Sequence, residues 1–174
     1  MTIFVSGVHG VGKSYLCNRY AGSRPYSVHF SASDLIKRGK PNGDWGVDKK
    51  VSNVDDNQIA LANQVEKIAS EGLNLVLDGH TVLVGKNGDL IPIGAEVFSS
   101  ISTKAIILLD ASVDTINSRI ESRDSIRSAY NVEALVNAEK KHAEYVCNTL
   151  KIKYFYLFEP KEEEFFLLID KLME

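Results

Sequence analysis

Short apolar runs alternate along the chain with longer segments whose hydrophobic residues recur every three to four positions. The first pattern is typical of strands buried on both faces, and the second is typical of helices that cover a sheet. The alternation therefore predicts an α/β fold, with a parallel sheet between two layers of helices. The predicted strands are residues 3–5, 26–30, 73–77, 104–109 and 152–158.

The helix-period segments also carry signals for their ends. The predicted helices are residues 14–21, 55–71, 112–122, 132–150 and 161–172. Gly22 and Gly72 follow the first two, where glycine accepts the left-handed conformation that often ends a helix. Pro160 is expected at the first position of the last helix, where its missing N–H costs nothing. Ser31, Ser33 and Asp34 are natural caps for a further short helix through Arg38.

Two stretches interrupt this alternation. Residues 39–53 are polar and rich in turn formers, and loops of this length are usually functional or mobile. Residues 82–93 are predicted to form a hairpin with Asn87 and Gly88 in its turn. Both stretches follow strands whose carboxyl ends should face a common ligand crevice.

Composition narrows the function classes. The chain has 174 residues, 44% of them hydrophobic and 25% charged, so residues 1–174 are expected to form one compact domain. The net charge of −3 argues against general nucleic-acid binding. Cys17 and Cys147 are too few for a disulfide framework and indicate reduced thiols. Because no apolar run reaches 18 residues and no basic leader precedes the first strand, we expect a cytoplasmic protein that makes no membrane contact.

The sharpest motif follows the first predicted strand and opens the first predicted helix. It reads Gly7-Val8-His9-Gly10-Val11-Gly12-Lys13-Ser14, a full G-x-x-x-x-G-K-[ST] phosphate-binding pattern. Its glycines let successive backbone N–H groups face phosphate oxygens, and the following helix adds its positive N-terminal end. Lys13 would reach the β- and γ-phosphates and Ser14 would ligate Mg²⁺, so the expected cofactors are ATP and Mg²⁺.

A carboxylate stands where a second magnesium ligand is needed. Leu75-Val76-Leu77-Asp78 is an apolar strand that ends in an acid. With a phosphate-binding loop in the same chain, this pattern indicates the aspartate that holds the magnesium directly or through water. Taken alone, the pattern would favour a turn former or a helix cap at Asp78.

Three of the six arginines follow helical spacing and continue an apolar face. Either the helix breaks near residues 122–125 or these guanidinium groups face the crevice, and both arrangements suit a short lid that binds phosphate. The alternative is a set of surface arginines paired with neighbouring acids. The three are Arg119, Arg123 and Arg127.

Together these motifs resemble the nucleoside monophosphate kinases. The motifs are residues 7–14, residues 31–37, Asp78-Gly79-His80, and Arg119 with Arg123-Asp124. They are most similar to small archaeal-type adenylate kinases and to adenylate kinase-like ATP-binding proteins. The resemblance implies a three-layer P-loop NTPase fold with a five-stranded parallel sheet. It also implies an acceptor-binding insertion at about residues 31–54 and a short lid at about residues 119–130.

The resemblance also implies roles for individual residues. The donor nucleotide would contact Gly7, His9, Gly10, Val11, Gly12, Lys13, Ser14, Tyr15 and Arg119. Catalysis would fall to Lys13, Arg119, Arg123 and Arg127, the metal to Ser14 and Asp78, and the acceptor to Ser33, Asp34, Lys37 and His80. Two departures bear on the acceptor. Lys37 stands where such kinases usually have an arginine, and His80 stands in the region where bacterial-type kinases carry an acceptor-gripping arginine.

Three functions fit the sequence. The first is transfer of the γ-phosphoryl group of ATP·Mg²⁺ to a nucleoside monophosphate, AMP or dAMP by family resemblance. The second is a small-molecule kinase with a hydroxyl acceptor, for which Asp34 or Asp78 would be the general base. The third is an ATP-binding switch with slow ATPase activity that controls a protein partner.

Overall fold

The structure, a computed structural model, describes residues 1–40, 54–85, 87–124 and 131–174. In chain order its elements are β1 (Thr2–Ser6), α1 (Lys13–Gly22), β2 (Ser27–Ser31), α2 (Ala32–Gly39), α3 (Val54–Ser70), β3 (Asn74–Asp78), β4 (Val82–Val84), β5 (Leu90–Pro92), α4 (Ala95–Ser100), β6 (Thr103–Asp110), α5 (Val113–Asp124), α6 (Val132–Leu150), β7 (Lys153–Phe158) and α7 (Glu162–Met173).

Five parallel strands form one sheet in the order β2-β3-β1-β6-β7. The middle strand, β1, is buried along its whole length and pairs with β3 on one side and β6 on the other. All five strands run in the same direction, so their carboxyl ends lie at one edge of the sheet. This arrangement confirms the predicted fold class and its five strands.

Helices cover both faces of the sheet, as the apolar runs predict. Side chains alternate along β1, so Ile3 and Val5 enter one core cluster and Phe4 enters the other. The first cluster includes Leu16 of α1 and Phe165 of α7, and the second includes residues of α3, α4 and α6. Strands of this kind have two buried faces, and their sequences therefore read as continuous apolar runs.

Two predicted helix boundaries are wrong. Gly22 is the last residue of α1 rather than a left-handed residue after it, because the backbone N–H and the hydroxyl of Ser23 both donate to the carbonyl of Tyr20 and end the helix there. Pro160 precedes α7 by two residues. The chain turns at Glu159, whose φ is 43° and whose N–H donates to the carbonyl of Asp110, so the helix begins only at Glu162.

Other local predictions are confirmed. Gly72 follows α3 with a φ of 73°, and β4 pairs with β5 in an antiparallel hairpin whose turn includes Gly88 at a φ of 82°. The helix α4 was not predicted. Residues 41–53 of the polar loop and residues 125–130 of the expected lid lie outside the described residues. No helix within the described ranges is long and apolar enough to cross a membrane.

Candidate active site

The phosphate-binding motif forms the connection between β1 and α1. Its three glycines all have left-handed backbones, with φ angles of 141° at Gly7, 87° at Gly10 and 100° at Gly12. A Cβ atom on Gly7 would lie 2.4 Å from the carbonyl oxygen of Leu109, and one on Gly10 would lie 3.0 Å from that of Ile116. Conformation and close packing therefore both require glycine at these two positions.

Lys13 is the first residue of α1, and its side chain turns back onto the loop. Its Nζ donates to the carbonyl of Gly7 at 2.6 Å and to that of Val8 at 3.1 Å. The residue is only 7% exposed, so its aliphatic stem packs in the protein while its charge stays at the loop.

A cavity of about 230 Å³ lies against this loop. It is smaller than most pockets that enclose a drug-sized ligand, so it fits a phosphate tail better than a whole nucleotide. Predicted donor-binding residues make up most of its lining. Two of the predicted donor residues, Gly7 and Val11, are not part of the lining. The lining residues are Val8, His9, Gly10, Gly12, Lys13, Ser14, Tyr15, Arg119 and Ile120.

Arg119 brings a second cation to the loop from α5. Its Nη1 donates to the carbonyls of Gly10 at 3.1 Å and Val11 at 3.2 Å, and the residue as a whole is exposed. The neighbouring Ile120 is buried, so α5 packs through its isoleucines and presents Arg119 at the crevice. The side chain of Arg123 and all of Arg127 lie outside the described residues.

Asp78 ends β3 next to the loop and is only 5% exposed. Its Oδ2 lies 2.6 Å from Nε2 of His29, and it also hydrogen-bonds to the Ser14 side chain. Burial would raise the pKa of this carboxyl, but the hydrogen bonds from His29 and Ser14 and the charges of His29 and Lys13 outweigh burial and hold its pKa below the ordinary value. Asp78 is therefore ionised at neutral pH. An ionised carboxylate beside a serine hydroxyl is an oxygen-ligand set that suits Mg²⁺.

His80 is held by a buried acid that lies 59 residues later in the sequence. Its Nδ1 lies 2.9 Å from Oε1 of Glu139 on α6, and Oε2 of the same carboxylate accepts from the backbone N–H and the hydroxyl of Thr81. Glu139 is 1% exposed. Burial acts to raise its pKa, but the hydrogen bonds from His80 and Thr81 dominate, so its pKa is lowered.

The ring of His80 also contacts the phosphate-binding loop. Its centroid lies 4.5 Å from the ring centroid of His9, with the planes tilted by 54°. A hydrogen bond from Nδ1–H to the Glu139 carboxylate fixes the ring, and in the neutral imidazole this leaves Nε2 as the acceptor. The structure thus adds Glu139 to the candidate site as the partner of His80.

The remaining predicted acceptor residues lie on α2. Ser33, Asp34 and Lys37 are all exposed, and β3 separates the strand that leads into this helix from β1 and its loop. Ser31 is the N-cap of α2, because its hydroxyl accepts from the N–H of Asp34 at 3.1 Å. Asp34 is therefore not the cap but the third residue of the helix.

Two further residues near the site, besides Glu139, were not predicted from the sequence. His29 of β2 and Cys17 of α1 both stand beside Asp78. For His29 the only available signal was a polar residue in the middle of a predicted strand. Nothing in the sequence marked Cys17, because a single cysteine in a helix reads as a small apolar residue.

A model of a known family covers most of this arrangement. It is the AAA_17 model, described as an AAA domain, and it matches residues 6–136, from the end of β1 into α6. The chain belongs to the AAA_17 family. No curated protein matches this AAA_17 chain in sequence.

Solved structures share the fold of this AAA_17 chain at low identity. A sugar kinase from Janibacter sp. matches with a TM-score of 0.61 and 13% identity, over 99% of this chain and 93% of that one. A gluconokinase from Sinorhizobium meliloti matches with a TM-score of 0.54 and 17% identity, over 99% and 91%. An uncharacterised protein from Eubacterium ventriosum matches with a TM-score of 0.52 and 14% identity, over 98% and 96%. These likenesses show that the chain has a P-loop kinase-like fold.

Proposed function

We propose that this protein transfers the γ-phosphoryl group of ATP·Mg²⁺ to a small molecule. The observation that carries the proposal is the loop of residues 7–14, which holds Lys13 Nζ on its own carbonyls beside the linked pair of Ser14 and Asp78. Phosphoryl transfer needs positioning and charge neutralisation more than covalent chemistry. Cations and oxygen ligands gathered at one loop meet that need.

Each part of the site has a role in this proposal. Ser14 and Asp78 would hold the magnesium ion, which bridges phosphate oxygens and offsets their charge. Lys13 and Arg119 would stabilise the charge that develops on the transferred group, because both already lie on the loop. Arg123 and Arg127 would join them from a lid at about residues 119–130.

The first candidate acceptor is a nucleoside monophosphate, AMP or dAMP. Its phosphate oxygens are ionised near neutral pH, so the reaction would need no general base. Ser33, Asp34, Lys37 and His80 would bind it, with residues of the 31–54 insertion completing the acceptor site. The resemblance to nucleoside monophosphate kinases supports this candidate.

The second candidate acceptor is an alcohol, such as a sugar or a sugar acid. The pairing of His80 with the buried Glu139 favours it, because a fixed imidazole nitrogen at the crevice is suited to accept a hydrogen bond from a hydroxyl. The sugar kinase and the gluconokinase that share the fold support it as well. Asp34 is exposed and would also be available to a hydroxyl, whereas both His29 and Ser14 already occupy the carboxylate of Asp78.

A coupled assay of ADP formation would separate these acceptors. The purified protein is supplied with ATP and Mg²⁺ and then with each common nucleoside or deoxynucleoside monophosphate, or with a panel of sugars and sugar acids. Turnover with a nucleotide establishes the first candidate, and turnover with an alcohol establishes the second. Slow ATP hydrolysis without any acceptor, together with a protein retained only in the presence of ATP, would support the switch instead.

Two variants test whether the phosphate-binding loop is responsible for turnover and for Mg-ATP binding. Lys13→Ala should remove turnover and weaken Mg-ATP binding, while Lys67→Ala, which removes an exposed lysine from α3, should change neither. If calorimetry of the wild-type protein shows no affinity for Mg-nucleotide, the proposal is wrong.

A further inference from the structure

Three side chains with metal-ligating atoms converge beneath the phosphate-binding loop. They are Cys17, His29 and Asp78, and their ligand atoms all lie within 4.8 Å of one another. Cys17 is fully buried and Asp78 nearly so, while the His29 side chain is 13% exposed.

The fold builds the cluster from three separate elements. Cys17 lies on α1, three residues after Ser14 and therefore on nearly the same side of the helix. His29 and Asp78 lie on the paired strands β2 and β3, two residues apart in register, since Ser31 is the residue opposite Asp78. The cluster is therefore fixed by the sheet and by the packing of α1 on it, not by loop residues.

We propose that these three side chains form a binding site for a zinc-like transition metal ion, separate from the magnesium ion that a nucleotide would bring. A thiol and an imidazole are ligands that zinc accepts readily and that magnesium does not. On binding, the Cys17 thiol gives up its proton to solvent and His29 binds through a neutral nitrogen. Zn²⁺, one thiolate and one carboxylate then sum to zero charge, which suits a buried position.

The geometry needs only small movements. With zinc–ligand distances of about 2.0 to 2.3 Å, tetrahedral ligand atoms lie about 3.4 Å apart. The 2.6 Å contact between His29 and Asp78 would lengthen by less than about 1 Å, and the thiol would move inward by at most about 1.4 Å. The hydroxyl of Ser14, already hydrogen-bonded to Asp78, or a water molecule would fill the fourth position.

This site shares Asp78 with the proposed magnesium site, so the two ions would compete for one carboxylate. Zinc bound here would therefore inhibit a reaction that depends on Mg-nucleotide. This consequence rests on the proposed function, but metal binding itself does not.

Titration of the purified full-length protein with Co²⁺ tests the site directly. We expect one equivalent of Co²⁺ to produce a thiolate-to-cobalt charge-transfer band, and one equivalent of Zn²⁺ to abolish it. Cys17→Ser should remove the band, and His29→Gln should weaken cobalt binding at least tenfold. Cys147→Ser is the matched control, because Cys147 is also a buried free thiol but lies in the other core cluster.

The outcomes separate the two proposals. A band that is absent from the wild-type protein, or that is lost in Cys147→Ser and kept in Cys17→Ser, overturns the metal site whether or not the protein is a kinase. A cobalt band that depends on Cys17 in a protein without phosphoryl transfer keeps the metal site and removes the kinase. Circular dichroism confirms that each variant is folded, and His29→Gln tests the site independently if Cys17→Ser does not fold.

Discussion

Nδ1 of His80 lies 2.9 Å from Oε1 of Glu139, although 59 residues separate the two along the chain. The same carboxylate accepts from the backbone and the side chain of Thr81, so one buried acid fixes the segment that follows β3. Asp78 ends that strand, and the ring of His80 contacts His9 of the phosphate-binding loop. Glu139 thus ties α6 to the candidate active site.

Removing this acid should destabilise the protein strongly. Glu139→Ala leaves the N–H and hydroxyl of Thr81 and the ring of His80 without their partner in a buried position, and we expect the free energy of unfolding to fall by about 3 kcal/mol. Urea denaturation, monitored by circular dichroism, measures this free energy of unfolding. Glu144→Ala is the matched control on the same helix, because Glu144 is exposed, and it should change the value by less than about 0.5 kcal/mol. Equal effects of the two variants would contradict the role given to Glu139.

The same carboxylate should also make stability depend on pH. The pKa of Glu139 in the folded protein lies below its ordinary value of 4.5, so between these two values the unfolded chain binds more protons than the folded one. The contribution of Glu139 to the free energy of unfolding is therefore complete above pH 4.5. It is lost as the pH falls through the pKa that Glu139 has in the folded protein. Unfolding free energies measured from pH 7 downward should decline more steeply for the wild-type protein than for Glu139→Gln.

Other carboxylates with lowered pKa values, those of Asp78, Glu159, Glu162 and Asp170, remain in both proteins. Their effects therefore cancel in the difference between the two curves. Parallel curves for wild type and Glu139→Gln would show that the acid is not paired in solution.

The first glycine of the loop should not tolerate a side chain. In Gly7→Ala the new Cβ would meet the carbonyl of Leu109 at 2.4 Å from a backbone with a φ of 141°, so we expect a loss of about 2 kcal/mol in stability and weaker Mg-ATP binding. Gly22→Ala is the control, because its Cβ would have no neighbour within 4 Å and Gly22 is helical. That variant should be as stable as wild type or more stable by about 0.5 to 1 kcal/mol. Thermal unfolding and calorimetry report both effects, and an unaffected Gly7→Ala protein would contradict the loop geometry.

Arg119 should contribute to nucleotide affinity through its planar group. We expect Arg119→Ala to raise the Kd for Mg-ATP about tenfold, and Arg119→Lys to recover only part of the loss because an ammonium lacks the guanidinium fork. Arg19→Ala removes the same charge from α1, where Arg19 is exposed and paired with Glu162, and should leave the Kd unchanged. Isothermal titration calorimetry of the three variants decides the point. Equal losses in Arg19→Ala and Arg119→Ala would indicate a general effect of charge instead.

The fold could be predicted from the sequence because its three central strands, β1, β3 and β6, are largely buried, which leaves nearly continuous apolar runs. The phosphate-binding loop could be predicted as well, because the spacing of its glycines and the position of its lysine are local features of the sequence. The ends of two helices could not be predicted in this way. The hydroxyl of Ser23 and the turn at Glu159 decide where α1 ends and α7 begins, and neither follows from a glycine or proline rule alone.

The contacts that complete the candidate site depend on the tertiary fold. Glu139 looks like any acid in an amphipathic helix until α6 packs beside the end of β3. His29 meets Asp78 only through the pairing of β2 with β3, and Cys17 joins them only when α1 docks on the sheet. Pairings between such distant positions carry no local signal in one sequence.

The close approach of Gly7 to Leu109 joins the start of the chain to a strand that is synthesised much later. Residues 7–14 leave the ribosome early, but the Leu109 carbonyl against which Gly7 packs belongs to β6, a strand that begins at Thr103. A nascent chain that stops before this strand holds the whole motif but lacks this packing partner. We expect stalled chains to be captured on a nucleotide resin only once β6 has emerged and docked beside β1.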